Sequence, residues 1–341
     1  MRIIFSENMP LLSVPDYQCA SMFKKLGYIT TELQTYPITE NLTPLREKIL
    51  HSARSSDAIM TCSYFGSATV DRALNDLSHE FRKLPNLPWV IEDRVTAMLD
   101  PQMAKDFFNR CDFCIMSLRK IYPVPDGAFL LACSERAMEV MEKYSTNLSQ
   151  GYAGDCHDLA RQKVEAKTTR GEWLHSGALI DNPLENGQHQ CAHSERQINE
   201  SASGADDDEQ AGSGGSLRYL ATRNLKKDLC SVRDCRKRIT DLLTVAGDGV
   251  PHIMDTSGIC VPILVKSRKS FLQHLAKLGV FLPVHWPEHN CIKMSPLASR
   301  WHNEEVSIPT LPTWTNRDME HLCNNLKSTL LEIGNQIKQA I

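Results

Sequence analysis

An apolar, strand-like run from Cys111 to Ser117 passes into Ser117-Leu-Arg-Lys120 and then into the turn formers Pro125, Asp126 and Gly127. That order sets one lysine at the mouth of a sheet, three residues after a hydroxyl. A primary amine there can form a Schiff base with an aldehyde cofactor, and the Ser117 hydroxyl can hold that cofactor's phosphate. Upstream, Pro88-Trp-Val-Ile-Glu92-Asp93 has the pattern of a second short buried strand ending in an acid. A buried carboxylate beside a pyridine nitrogen keeps it protonated, which is what lets pyridoxal phosphate draw electrons from a substrate carbanion. Each fragment alone has a plainer reading. Acids at strand ends commonly cap helices or form turns, and Ser-x-x-Lys is short enough to recur by chance.

The elements that must position these residues are legible along the chain. Residues 1–150 alternate short apolar runs with amphipathic segments at 45–53 and 70–84, the signature of an open α/β sheet. A helical pattern follows over 137–172. Residues 181–216 change character: the run SASGADDDEQAGSGGS is acidic, rich in Gly and Ser and nearly free of large side chains, so it is expected to be a flexible insertion. Helical spacing resumes at Leu217 and runs through Leu242 and Leu243. A strand is expected over 258–265, a helix over 271–278 with Gly279 as its stop signal, and a last amphipathic helix over 318–338. The expected organisation is therefore a large α/β domain over 1–150, a helix with the insertion over 151–216, and a helical connection with a small C-terminal domain over 217–341.

The chain resembles the fold-type-I pyridoxal phosphate enzymes, and within them the DegT/StrS-like aminotransferases of sugar and cell-envelope biosynthesis. Glu92-Asp93 stands where that family's EDxA strand end supplies the acid for the pyridine nitrogen, and Ser117…Lys120 stands where it supplies the phosphate-binding serine and the cofactor lysine. The likeness extends to Val14-Pro-Asp-Tyr-Gln-Cys19, to Ala58 through Gly66, to Arg233-Asp-Cys-Arg236, to Pro283-Val-His285-Trp-Pro287, and to Ile308-Pro-Thr-Leu-Pro312 followed by Thr315 to Met319. The resemblance implies a mostly parallel-sheet large domain of the aspartate aminotransferase type with a smaller α/β domain. It also implies pyridoxal 5'-phosphate as cofactor, an amino donor and a keto acceptor as substrates, and a homodimer.

The chain departs from the pattern in two places. The family's first segment, a helix and Gly-Ser/Thr turn that binds the cofactor phosphate at a helix N-terminus, has no match near Met1, which points to a truncated, divergent member. Three residues after the acid, where the family commonly has Gln for the cofactor's ring hydroxyl, stands Thr96, a shorter donor.

On this resemblance Lys120 and Asp93 are the catalytic residues, and Ser117, Thr96, Tyr17 and Cys19 join them in holding the cofactor. Tyr17 offers the better π-face for stacking on the ring, and Cys19 lies nearer the position where relatives carry the stacking group. Arg119, Tyr64 and His285 are candidates for the substrate; each can equally pack or face solvent. The expected activity is aminotransfer to a small keto compound or keto-sugar through Lys120. The alternatives are a lyase or racemase on the same cofactor, or a catalytically degenerate relative that serves as a binding or partner subunit.

Composition narrows the field. A net charge of −3 with interspersed acids and bases leaves no basic stripe for nucleic acid and no polybasic segment for anionic membranes. No apolar stretch has transmembrane length, and Glu7 and Pro10 interrupt any signal-peptide core. Twelve cysteines fit reduced thiols in a cytoplasmic protein. Cys156-His157 and Cys191-Ala-His193 have metal-ligand types without CxxC pairs, so no metal is expected.

Overall fold

The computed structural model describes residues 11–17, 32–98, 110–124, 127–151, 214–245, 255–285 and 294–339. Cys19, the segment 152–213 with Cys156, His157, Cys191 and His193, and all but the last three residues of the expected insertion lie outside them.

Six strands form the main sheet: β1 (Leu11–Pro15), β2 (Glu32–Tyr36), β3 (Ala58–Cys62), β4 (Trp89–Asp93), β5 (Phe113–Ser117) and β6 (Ala128–Ala132). Their order is β2-β1-β3-β4-β5-β6, with the first five parallel and β6 antiparallel to β5. Parallel strands are covered on both faces and so read as continuous apolar runs; β3 is buried along its whole length. Alternation sorts the side chains. Ile59, Val90, Cys114 and Met116 belong to the core that also holds Ile49 and Ala53 of α1 (Arg46–Ser55) and Leu74, Leu77 and Phe81 of α2 (Ala68–Phe81). Met60, Ile91 and Phe113 face the other way, against Ala137, Val140 and Met141 of α3 (Glu135–Gly151).

Two helices, α4 (Gly214–Ala221) and α5 (Leu225–Val245), lead to a second sheet. There β7 (Cys260–Leu264) pairs antiparallel with β8 (Glu305–Pro309), packed with α5, α6 (Arg268–Lys277), α7 (Pro296–Glu304) and α8 (Asn316–Gln339). The expected strand, helix and terminal helix of this half are all present. Gly279 ends α6 at φ +75, as a stop signal should. The α7–β8 pair was not anticipated from the sequence; Val306 and Ile308 face one core while Glu305 and Ser307 alternate with them.

The segment 255–259 ties the second sheet to the first. Gly258 N donates to Phe65 O at 2.8 Å, Ile259 N donates to Thr96 O at 3.0 Å, and a Cβ at Gly258 would sit 2.4 Å from both carbonyl oxygens. Only glycine permits that approach.

Beneath the C-terminal end of β4 lies a charge network that no sequence motif announces. Arg94, 1% exposed, donates to Asp71 at 2.9 Å and to Glu92 at 2.7 Å, and Arg110 donates to Glu92 as well. Burial pushes the Asp71 carboxyl up, but Arg94, Arg110 and Ser63 outweigh it and hold it below its ordinary value. The stabilisation from Asp71 is therefore complete above the unfolded pKa, about 3.9, and is lost as pH falls through the lower folded value. Removing Arg94 leaves two buried carboxylates to share Arg110. We expect Arg94→Ala to cost about 3–5 kcal/mol in chemical denaturation and Arg94→Ala with Asp71→Asn to recover part of it; a single variant as stable as wild type would show that the network carries no net stability.

Among the described residues no helix is long and apolar enough to cross a membrane, and no cluster of three metal-ligating side chains occurs. The cysteines there, buried or exposed, are free thiols.

Candidate functional site

Parallel α/β sheets present their binding groups at the carboxyl ends of the strands. Here β3, β4 and β5 end side by side in Cys62, Asp93 and Ser117. Cys62 is in register with Asp93, and Asp93 with Ile115 two residues before Ser117. The structure thus brings together three residues singled out in the sequence: Asp93, Ser117 and Lys120.

Asp93 is buried, and its Oδ1 accepts from Val95 N at 3.0 Å, a turn that fixes the carboxylate just past the strand. Glu92 and Arg94 flank it on the opposite face, locked in the charge network, so the strand end cannot rotate without breaking buried ion pairs. Ser117 is the last residue of β5, and its hydroxyl makes no capping bond to the 3-10 turn Leu118–Lys120 that follows. Lys120 closes that turn, half-buried. The backbone around it is held by Leu118 N to Gly127 O at 3.0 Å and Tyr122 N to Leu118 O at 2.8 Å. Tyr122 Oη donates to Asp228 of α5 at 2.9 Å, which clamps the turn to the helical connection.

The charges of Asp93 and Lys120 both act on the Cys62 thiol. Burial pushes that thiol far up, Asp93 raises it further and Lys120 opposes. Cys260, at the start of β7, is likewise pushed up to about 12 by burial, against the neighbouring Ser307 and the fields of Lys120 and Arg236. Neither cysteine is a thiolate near neutral pH.

The remaining candidates sit around this centre with prior engagements. Thr96 is buried, and its hydroxyl accepts from Phe65 N at 3.2 Å. Tyr17 is buried with its ring stacked on Tyr64, centroids 5.6 Å apart at 25°, and Tyr64 Oη donates to the Tyr17 carbonyl. Burial raises both phenols well above their ordinary value. Arg119 lies on the 3-10 turn, not on a strand, and is exposed; strand alternation does not govern where it points.

His285 is held by a relay that sequence reasoning missed. Its backbone N donates to Glu305 Oε2 at 2.8 Å, its Nδ1 lies 2.7 Å from Ser307 Oγ, and Ser307 Oγ donates to Glu305 Oε1. A carboxylate can only accept and a serine has one hydrogen, so Ser307 accepts from Nδ1–H. The ring is thereby fixed edge-on to Phe65, with centroids 5.8 Å apart. The alternation of Glu305, Ser307 and Pro309 with Val306 and Ile308 was the available signal.

No family model and no curated protein matches the chain. Solved structures do. The sugar aminotransferase CalS13 from Micromonospora echinospora superimposes with a TM-score of 0.59 at 14% identity, covering 94% of this chain and 80% of that one. A DegT DnrJ EryC1 StrS aminotransferase from Brucella abortus gives 0.53 at 11%, over 93% and 79%. Spr1654 from Streptococcus pneumoniae in its PLP-form gives 0.57 at 13%, over 95% and 81%. The fold is therefore that of the fold-type-I aminotransferases, as the motif resemblance implied.

Proposed function

We propose that the chain is a pyridoxal-phosphate-dependent aminotransferase acting on a small keto compound or keto-sugar. The observation that carries this is the convergence of Asp93, Ser117 and Lys120 at adjacent strand ends.

The residues fit the cofactor. Among the described residues neither the Lys120 amine nor the Ser117 hydroxyl is engaged in a hydrogen bond or ion pair, and the two stand just after and at the end of the strand beside the one that ends in the fixed Asp93 carboxylate. When bound, pyridoxal phosphate supplies an electron sink for a substrate carbanion. Lys120 would hold the cofactor through its amine, and that amine would move a proton at the substrate α-carbon. Asp93 keeps a positive charge on the ring nitrogen from a carboxylate that cannot swing away. Ser117 donates to the phosphate. Thr96, Tyr17 and Tyr64 shape the floor, where the Thr96 hydroxyl retains its own hydrogen to donate. Cys19 is kept as a stacking candidate, and Arg119 and His285 as substrate contacts. The keto-sugar class comes from the motif resemblance and is supported by the likeness to CalS13, a sugar aminotransferase. The test of the whole assignment is the Lys120 experiment argued in the Discussion.

Fold-type-I relatives complete their sites across a two-fold interface, so we also expect a homodimer. Light scattering should return twice the mass of one chain, 38.4 kDa. A monomer that still binds cofactor would refute the shared-site arrangement.

A further inference from the structure

Burying a guanidinium is costly unless something answers its charge. On α5, Arg236 is half-buried, its Nε fully so, and donates from Nη2 to the Gly258 carbonyl at 2.6 Å. That carbonyl also accepts from Thr310 Oγ1 at 3.1 Å, so it does not depend on Arg236. The Arg236 Nε–H is buried with no hydrogen-bond acceptor among the described residues, and no carboxylate there pairs with the side chain. Thr256, one residue before Ser257, has a buried hydroxyl in the same condition. Burial pulls the Arg236 guanidinium down to about 10, leaving it cationic at neutral pH. Unanswered buried donors in a native fold call for a partner.

A pocket opens beside them, between α5 and the 255–259 segment, lined by Met98, Leu229, Val232, Arg233, Arg236 and Ser257. Its cavity of about 20 Å³ has room for a terminal oxygen but not for a ring. Arg233 adds a second positive charge, felt by Arg236. Cys260, at the start of β7, feels the charges of both Arg236 and Lys120.

We infer that this pocket is an oxyanion subsite, in which Arg236, with Arg233 at its rim, takes the carboxylate or phosphoryl terminus of a ligand. The fork of an arginine suits either group. The subsite stands independently of the cofactor assignment.

The test is thermal unfolding of the full-length protein with inorganic phosphate or with acetate, ionic strength being held constant with KCl. One of the two should give a saturable rise in Tm of about 2–4 °C at about 100 times its Kd. A response to phosphate alone identifies a phosphoryl terminus, and a response to acetate a carboxylate. Arg236→Met should be about as stable as wild type without anion, since it removes a buried Nε–H with no acceptor while Thr310 still serves the Gly258 carbonyl, and should lose the rise. Arg236→Lys keeps the charge but has no Nε–H, and should weaken the anion at least about tenfold. Lys120→Ala should keep the rise in full. No rise above KCl in the wild type, a rise that persists in both Arg236 variants, or its loss in Lys120→Ala, which would assign the anion to the cofactor site, each overturns the inference.

Discussion

Lys120→Ala is expected to leave a folded protein that no longer retains pyridoxal phosphate through gel filtration and lacks the visible absorption band of the bound cofactor. In the wild type, borohydride reduction followed by peptide mapping should fix the cofactor's mass on the peptide containing Lys120. Turnover should fall by about 10³-fold or more, the scale of losing a positioned acid–base group together with the cofactor's covalent anchor. The variant should fold because Lys120 is half-buried at the end of a 3-10 turn whose backbone is held by Gly127 and Leu118 and whose next aromatic, Tyr122, is tied to Asp228. None of those bonds uses the lysine side chain. A label on a different lysine, or none, would remove the enzyme assignment and leave the chain as a degenerate member of the fold acting as a binding or partner subunit.

Asp93→Asn separates charge from architecture. The amide oxygen of asparagine can still accept from Val95 N, so the turn after β4 survives, and Glu92 and Arg94 on the opposite face are untouched. What is lost is the negative charge proposed to act on the cofactor's ring nitrogen. Cofactor binding should persist in part while kcat falls by about 10²–10³-fold, the size of removing one preorganised electrostatic contact. Steady-state kinetics beside a denaturation midpoint read the two effects apart. Full activity would show that Asp93 does not touch the cofactor's electronics; an unfolded variant would make it a structural turn acid.

Much of the large sheet was legible because parallel strands buried on both faces carry unbroken apolar runs. Ala58–Cys62, Trp89–Asp93 and Phe113–Ser117 are mostly apolar, and the last two end in polar residues. Local alternation also determined that Asp93 and its neighbours Glu92 and Arg94 face opposite ways. Helix limits such as Gly279 and the amphipathic stripe of α8 followed from spacing alone. In the same way, the order acid, serine, lysine is a property of the sequence, and by itself it points to one cofactor's chemistry.

Tertiary structure decided what those residues meet. Arg94 pairs with Asp71, 23 positions away, and with Arg110's partner Glu92, because α2 packs across the face of β4. His285 acquires its proton arrangement from Ser307 and Glu305, which arrive on a strand 20 residues further on. Arg236 finds the Gly258 carbonyl, 22 residues on, where Gly258 lets the 255–259 segment lie against Phe65 and Thr96. Periodicity records which face of an element is apolar; it carries nothing about which distant polar groups will share a buried space. Hydrogen-bond and charge partners are selected by three-dimensional packing, where each buried donor or charge must be answered by whatever the fold brings within reach.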